Sequence, residues 1–550
     1  MNKTEARCAD AFTPWPPEFE ARYKAEGYWG DVLLGDIARG DPSRTAVVAG
    51  RDRVSYGELD RRVANTASGL LRLGVERGDR VIVQLLNTTG FVVTFLALAR
   101  IGAIPVLALP AHRESEIRYL CELADARAYV CADTDGGFDY RAMARALPVE
   151  HVIVDGDAQE LVALAELAGG TGGPAEIWNR PAPSDIGVLL LSGGTTGLPK
   201  LIPRTHRDYV YNLEASAEVC GVTAGTVYLA VLPVAHNFAL ACPGVLGVLA
   251  AGGTVVLASS GSPDEAFPLI ERERVTACAL VPPLAHLWLE AAPRTRNDLS
   301  SLALLQVGGA RFAPERAARV PEVLGCALQQ VFGMAEGLLN YTRLDDPPEL
   351  VERTQGRPLS PADEIRIVDA KGAPVAPGEV GELLTRGPYT PRGYYRAPEH
   401  NRLAFTADGF YRTGDLVRRL PSGHLVVEGR EKDQINRGGD KISAAELESH
   451  LLAHPAVHDA AVVAIPDPVV GERTCAYLIA RRPHAKDRPA ADEPAEPAPE
   501  RPTLRQIRDF LRERGVAAYK FPDRIEYVAS FPRTAVGKIS KKDLVAAATR

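Results

Sequence analysis

Hydrophobic and polar positions along roughly the first 430 residues follow two alternating periods. Ser55 and Glu58 form an S-x-x-E capping box, and Leu59, Val63, Ala67, Leu70 and Leu71 then fall on one helical face. The apolar run Val81–Leu86, a helical stretch Phe91–Ile101 and a second run Ile104–Leu109 follow. Short apolar runs separated by helices predict βαβ units whose strands are buried on both faces. Similar runs recur at Gly187–Leu191, Val227–Leu232, Val255–Ala258, Cys278–Val281 and Leu302–Val307. Many close on Gly or Pro turns, the end at which open α/β sheets place their ligands. The pattern changes after Gly429, and residues 433–550 are about as long as one small α+β domain. Inside that region, Pro483–Pro502 carries six prolines among Ala, Glu and Asp. Such a segment cannot bury a core, and it predicts a disordered surface insertion with no catalytic role.

Length and charge narrow the classes. A chain of 550 residues calls for two or more domains. Its 63 Lys and Arg against 70 Asp and Glu leave a net charge of −7, which excludes a polybasic nucleic-acid binder. No apolar run reaches the roughly 18 residues of a membrane span. The first residues hold no signal-peptide core, so a cytoplasmic protein is expected. The eight cysteines (Cys8, Cys121, Cys131, Cys220, Cys242, Cys278, Cys326 and Cys475) include no C-x-x-C pair. Reduced, buried thiols are expected, not a zinc site or a disulfide framework. Gly169–Gly173 reads as a connecting loop, since no helix start follows it.

One segment carries phosphate chemistry. Ser192-Gly193-Gly194-Thr195-Thr196-Gly197-Leu198-Pro199-Lys200 follows the apolar run Gly187–Leu191. Its glycines let backbone N–H groups approach a phosphate chain, the hydroxyls add donors, and Lys200 adds a point charge. The spacing is not that of a Walker loop.

This segment resembles the phosphate loop of the adenylate-forming superfamily, which includes acyl- and aryl-CoA synthetases, peptide synthetase adenylation domains and firefly luciferase. Further motifs follow in that family's order: Gly308-Gly309-Ala310-Arg311-Phe312, Phe332-Gly333-Met334-Ala335-Glu336-Gly337, Tyr411-Arg412-Thr413-Gly414-Asp415, Gly429-Arg430-Glu431-Lys432-Asp433 and Pro532-Arg533-Thr534-Ala535-Val536-Gly537-Lys538. The stand-alone aryl acid–AMP ligases of siderophore pathways also resemble it in His236-Asn237, Gln329-Gln330-Val331, Asn340-Tyr341-Thr342 and Asp433-Gln434-Ile435-Asn436-Arg437-Gly438-Gly439. The resemblance implies an α/β fold. A large N-terminal domain, 1–431, would combine layered α/β subdomains with a β-barrel-like subdomain. A small, mobile α+β domain, 432–550, would follow.

The resemblance also implies roles. Joining a carboxylate to the α-phosphate of ATP brings two anions together, so positive charge must be aimed at the transition state. Lys538 resembles the family's catalytic lysine. Glu336 matches the glutamate that holds Mg²⁺, a hard cation suited to carboxylate and phosphate oxygens. Asp415 matches the ribose-binding aspartate, with Arg430 supporting it. Gly309, Ala310 and Arg311 would give adenine a flat edge, with Val331 opposite and Gly333, Met334 and Ala335 completing the nucleotide site. His236 matches a histidine near the acid carboxylate.

For the acid, Asn237 stands where amino-acid-activating domains resemble one another in an Asp that pairs with an ammonium. A buried ammonium beside a neutral amide would lack its partner. An acid without an amine is therefore expected, and the resemblance to the aryl acid ligases, whose Asn at this position bonds the hydroxyl ortho to the carboxylate, implies a 2-hydroxyaryl acid lying against Asn237, Phe238, Cys242, Gly308 and Leu339. Cys242 and Leu339 replace the Ser and Val of the 2,3-dihydroxybenzoate pattern, which makes the ring 3-position tighter and less polar and favours salicylate. Lys432 matches the hinge between domains, and Gly438, Gly439 and Lys441 match the segment that serves thioester formation. Only 12 residues follow Lys538, so a separate aryl carrier protein, reached through its phosphopantetheine arm, is the expected acceptor. The expected cofactors are ATP, released as AMP, and Mg²⁺, with neither nucleic acid nor membrane as a partner. A 2,3-dihydroxybenzoate ligase and an aryl-CoA ligase are the alternatives.

Overall fold

A computed structural model describes residues 12–169, 179–192, 199–430, 434–437, 440–467, 471–481, 501–514, 516, 518–534 and 538–548. The chain divides into two units that interleave along the sequence. The larger takes in Met1–Phe312, Arg316–Ile365 and Leu384–Arg412; the smaller takes in Ala313–Glu315, Arg366–Leu383 and Thr413–Arg550.

The larger unit begins as its patterning dictates. Ser55 caps the helix Tyr56–Arg72 by accepting the Glu58 amide at 3.2 Å, and Leu59, Val63, Ala67 and Leu70 are buried. The expected box is half formed, because the Glu58 carboxylate turns to Arg61 and Arg62 at 2.7–2.8 Å. Two basic residues within one helical turn outcompete the single backbone N–H. Leu71 is only half-buried. The helix Thr89–Ile101 is capped by Thr88 and stops at Gly102, which takes the left-handed conformation.

Seven strands form one sheet, in the order Leu201–Thr205, Ile186–Leu191, Ile104–Leu107, Arg80–Gln84, Ala126–Ala132, His151–Asp155 and Val162–Ala163. All neighbours are parallel except the first pair, which runs antiparallel about the glycine-rich segment. A nine-stranded sheet runs Arg357–Pro358, Gly337–Tyr341, Ala327–Met334, Leu304–Gly308, Ala277–Leu280, Val227–Ala230, Thr254–Leu257, Thr45–Ala49 and Asp52–Ser55. Its interior is parallel and apolar, and its strands begin or end within two residues of the runs read from the sequence. Antiparallel pairing returns at Ala327–Met334 with Gly337–Tyr341, so residues 335 and 336 occupy a hairpin turn.

The smaller unit is α+β. Val457–Asp467 pairs antiparallel with Gly471–Ala480, whose other edge takes Arg524–Tyr527 in parallel. The helices Ala444–Leu452 and Leu504–Glu513 contribute Leu447, Leu451, Ile507 and Leu511 to a core with Ile435, Val462 and Leu478. Most of the proline-rich stretch 483–502 lies outside the described residues. All seven described cysteines are free and buried. Among the described residues, no helix is long and apolar enough to cross a membrane.

One glycine shows how tightly the sheet edge is built. Gly356 has φ +82°, and a Cβ there would overlap the backbone of Tyr341 and Thr342. Both strain and overlap oppose any side chain. Gly356→Ala is expected to destabilise the larger unit by at least about 3 kcal/mol, read as a lower urea midpoint; an unchanged midpoint would contradict this packing.

Candidate active site

The glycine-rich segment is closed at its mouth by two hydrogen bonds. The Ser192 amide donates to the Lys200 carbonyl at 2.9 Å, and the Lys200 amide donates to Ser192 Oγ at 3.0 Å. The Lys200 ammonium lies 5.9 Å from the Tyr394 ring centre. Gly193, Gly194, Thr195, Thr196 and Gly197 lie outside the described residues.

Parallel pairing places Gly308 opposite Val331, where a Cβ on Gly308 would stand 2.9 Å from the Val331 carbonyl and 3.0 Å from Phe238 Cζ. The absent side chain lets the Phe238 ring lie against the strand. Gly309 and Ala310, next along the chain, are exposed, with Arg311 half-buried. Across the hairpin, Gly333 is opposite Leu339, and the space a Gly333 Cβ would need is filled by Leu339 Cδ2. Met334 ends the strand, and Ala335 and Glu336 form the turn.

Glu336 is 8% exposed. Its Oε1 accepts from the Tyr394 hydroxyl at 2.8 Å, and that hydroxyl is 2.9 Å from the Tyr411 hydroxyl. Oε2 has no partner among the described residues. One buried carboxylate with an oxygen to spare fits Mg²⁺, which takes one or two carboxylates and completes its shell with water and substrate phosphate.

The residues expected to face the acid are equally constrained. His236 caps the helix Asn237–Ala241, its Nδ1 accepting the Phe238 amide at 3.3 Å. Asn237 Oδ1 accepts from the Tyr209 hydroxyl at 2.7 Å, and Asn237 Nδ2 donates to Cys242 Sγ at 3.6 Å. Cys242 in turn donates to the Asn237 carbonyl at 3.5 Å. Burial pushes the Cys242 thiol up to about 12. Cys242 was expected to act as a small hydrophobe; it also holds the side-chain amide of Asn237.

In the smaller unit, Asp415 is opposite Arg430 on paired strands, and Arg430 Nε donates to Asp415 Oδ1 at 2.8 Å. Asp415 is buried, and its amide donates to Thr413 Oγ1 at 3.0 Å. Lys538 is exposed, its amide held by Thr534 Oγ1 at 3.2 Å and its carbonyl by the Thr534 amide at 2.7 Å. Lys441 lies on the strand Asp440–Ser443. Lys432, Gly438 and Gly439 lie outside the described residues.

Sequence reasoning missed the groups behind these residues. The Leu339 amide donates to the Tyr389 hydroxyl at 3.2 Å, and that hydroxyl donates to Asp363 Oδ2 at 2.6 Å. Both partners are distant in sequence from Leu339, and no local pattern marks them. Burial pushes the Asp363 carboxyl up to about 7, although the residue as a whole is partly exposed. A raised carboxyl pKa means that the folded state keeps a proton the unfolded chain has released. Stability from this group is therefore full below about pH 4 and is lost as the pH rises through about 7. Asp363→Asn, which retains an acceptor for Tyr389, is expected to flatten that profile. Between about pH 5 and pH 8 the wild type should lose about 2 kcal/mol more than the variant in denaturant melts, and parallel curves would refute the assignment.

Comparison with known proteins identifies the family. The AMP-binding enzyme family matches residues 35–395, and the AMP-binding enzyme C-terminal domain matches residues 446–538. The chain is similar to a 2,3-dihydroxybenzoate-AMP ligase of Bacillus subtilis, with 55% identity over 97% of each chain. It is similar to a salicyl-AMP ligase / salicyl-S-ArCP synthetase of Mycobacterium tuberculosis, with 49% identity over 97% of this chain and 94% of the relative. Among solved structures it matches apo MbtA of Mycobacterium smegmatis, with 49% identity, a TM-score of 0.74 and 98% of each chain covered. These matches span nearly the whole chain, and the chain belongs to the adenylate-forming, AMP-binding superfamily, within its family of aryl acid–AMP ligases.

Proposed function

We propose that the protein activates a 2-hydroxyaryl acid, salicylate in preference to 2,3-dihydroxybenzoate, and passes the acyl group to the phosphopantetheine thiol of an aryl carrier protein. The observation that carries this reading is Asn237: a buried neutral amide, fixed by Tyr209 and Cys242, with an apolar wall of Phe238 and Leu339 in the same unit. An amide offers a hydroxyl both donor and acceptor and offers an ammonium no compensating charge. The Bacillus relative's name favours 2,3-dihydroxybenzoate, but Cys242 and Leu339 favour an acid without the second hydroxyl.

In the first step the acid's carboxylate oxygen attacks the α-phosphorus of ATP, the bond to the β-phosphate oxygen breaks, and pyrophosphate leaves. Ser192, Lys200 and the glycines between them hold the phosphates, His236 orients the carboxylate, and Lys538 offsets the charge that gathers on the reacting oxygens. Asp415 and Arg430 hold the ribose. Mg²⁺, held by Glu336, would neutralise phosphate charge. In the second step a thiolate attacks the acyl carbonyl, the thioester forms and AMP leaves. Lys432 would serve as the hinge that exchanges Lys538 for the segment bearing Gly438, Gly439 and Lys441.

Pyrophosphate exchange with salicylate, 2,3-dihydroxybenzoate, benzoate and amino acids tests the substrate. Salicylate is expected to give the highest kcat/KM. A Cys242→Ser, Leu339→Val variant should move the ratio toward 2,3-dihydroxybenzoate by about tenfold, about 1.4 kcal/mol. A wild type that prefers 2,3-dihydroxybenzoate by tenfold or more would overturn the salicylate assignment and leave the family intact. Lys538→Ala should lower exchange by at least about 100-fold while leaving thioester formation from supplied aryl adenylate in place; loss of both steps together would refute its role.

A further inference from the structure

Arg204 lies in the strand Leu201–Thr205, four residues beyond Lys200, and its side chain is fully buried. Each of its three nitrogens donates a hydrogen bond. Nε donates to Asp208 Oδ1 at 2.7 Å, Nη1 to the Ala335 carbonyl at 3.1 Å and Nη2 to Asn212 Oδ1 at 3.4 Å. The cation also lies 4.7 Å from the Tyr209 ring centre. Asp208 is itself fixed, its Oδ2 accepting from the Thr205 amide and hydroxyl at 2.6 Å each.

The three arms end beside the site. Ala335 immediately precedes Glu336. Asn212 Nδ2 donates at 2.7 Å to the Ala241 carbonyl, immediately before Cys242. Tyr209 donates to Asn237. A buried cation is costly to desolvate, and well-packed apolar residues would hold these elements together as firmly. Apolar packing could not, however, fix the azimuth of a hairpin carbonyl and of the Asn212 amide oxygen at once, as a planar fork of donors does, with the Tyr209 ring held against the same cation.

We propose that Arg204 is the positioning residue that holds the metal-side carboxylate Glu336 and the acid-side amide Asn237 in one frame, so that nucleotide and acid meet in register. The inference rests on the reading of this pocket as an aryl acid adenylation site. Lysine at 204 keeps the charge but cannot span three acceptors, whereas Tyr209→Phe keeps the ring and cuts only the arm to Asn237.

Two variants and two measurements test it. Arg204→Lys is expected to raise the Mg²⁺ midpoint of exchange about tenfold and to cut the salicylate-over-benzoate preference about tenfold. Calorimetric binding of Mg²⁺ with α,β-methylene ATP should weaken in parallel, which does not depend on turnover. Tyr209→Phe should cut the acid preference by a similar factor with the Mg²⁺ midpoint and nucleotide binding unchanged. A melting temperature lowered in both variants with Mg²⁺ midpoint, nucleotide binding and acid preference all at wild-type values would reduce Arg204 to a structural ion pair and overturn the proposal. If Arg204→Lys does not fold, Tyr209→Phe decides alone: an unchanged acid preference overturns the coupling. A wild type that exchanges no aryl acid would instead sink the functional reading, a separate outcome.

Discussion

The site depends on one enclosed charge. Arg204 and Asp208 form an ion pair with side-chain exposures of 0% and 6%, so each depends almost wholly on protein groups for compensation. Removing one side of such a pair typically costs about 3–5 kcal/mol, because the survivor is left uncompensated. That cost is what makes the pair useful as a datum. Side chains that must agree in position to within a fraction of an ångström are referred to one stiff element instead of to separate loops.

The residues around Asn237 are held by the same economy of parts. Asn237 is satisfied on both ends of its amide by protein groups, which fixes which atom is acceptor and which is donor. Leu339 has its backbone amide outside the strand ladder and held by Tyr389. A residue tethered in this way is pre-organised, so its position does not wait on loop ordering.

Much of the frame was legible because burial and periodicity are local properties. The apolar runs at 186–191, 227–230 and 304–308 needed only short-range pattern, and their ends moved by a residue or two where ladder geometry overrode composition. The hairpin that carries Glu336 was visible as a motif but not as a turn, since nothing local says that 327–334 and 337–341 pair antiparallel. Tyr389, Tyr394 and Asp363 were invisible for a different reason. Their roles exist only through contacts of 26 to 58 residues' separation, and tyrosines in a loop-rich stretch carry no periodic signature. Arg204 did leave a trace, a charge inside an otherwise apolar strand, which is a reason to ask what a buried cation is holding. The cap at Ser55 shows the converse: the box motif was present, yet Arg61 and Arg62 claimed its glutamate.

Leu339 and Gly333 share one volume, since the δ-carbon of the first occupies the place of the second's missing side chain. The two positions therefore cannot drift independently over evolutionary time. A valine at 339 has no δ-carbon and vacates that space, which makes alanine at 333 tolerable. With leucine in place, a side chain at 333 requires the Leu339 δ-carbon to move away. The less strained route to a larger residue at 333 thus has an order, with position 339 shrinking first and position 333 growing afterwards.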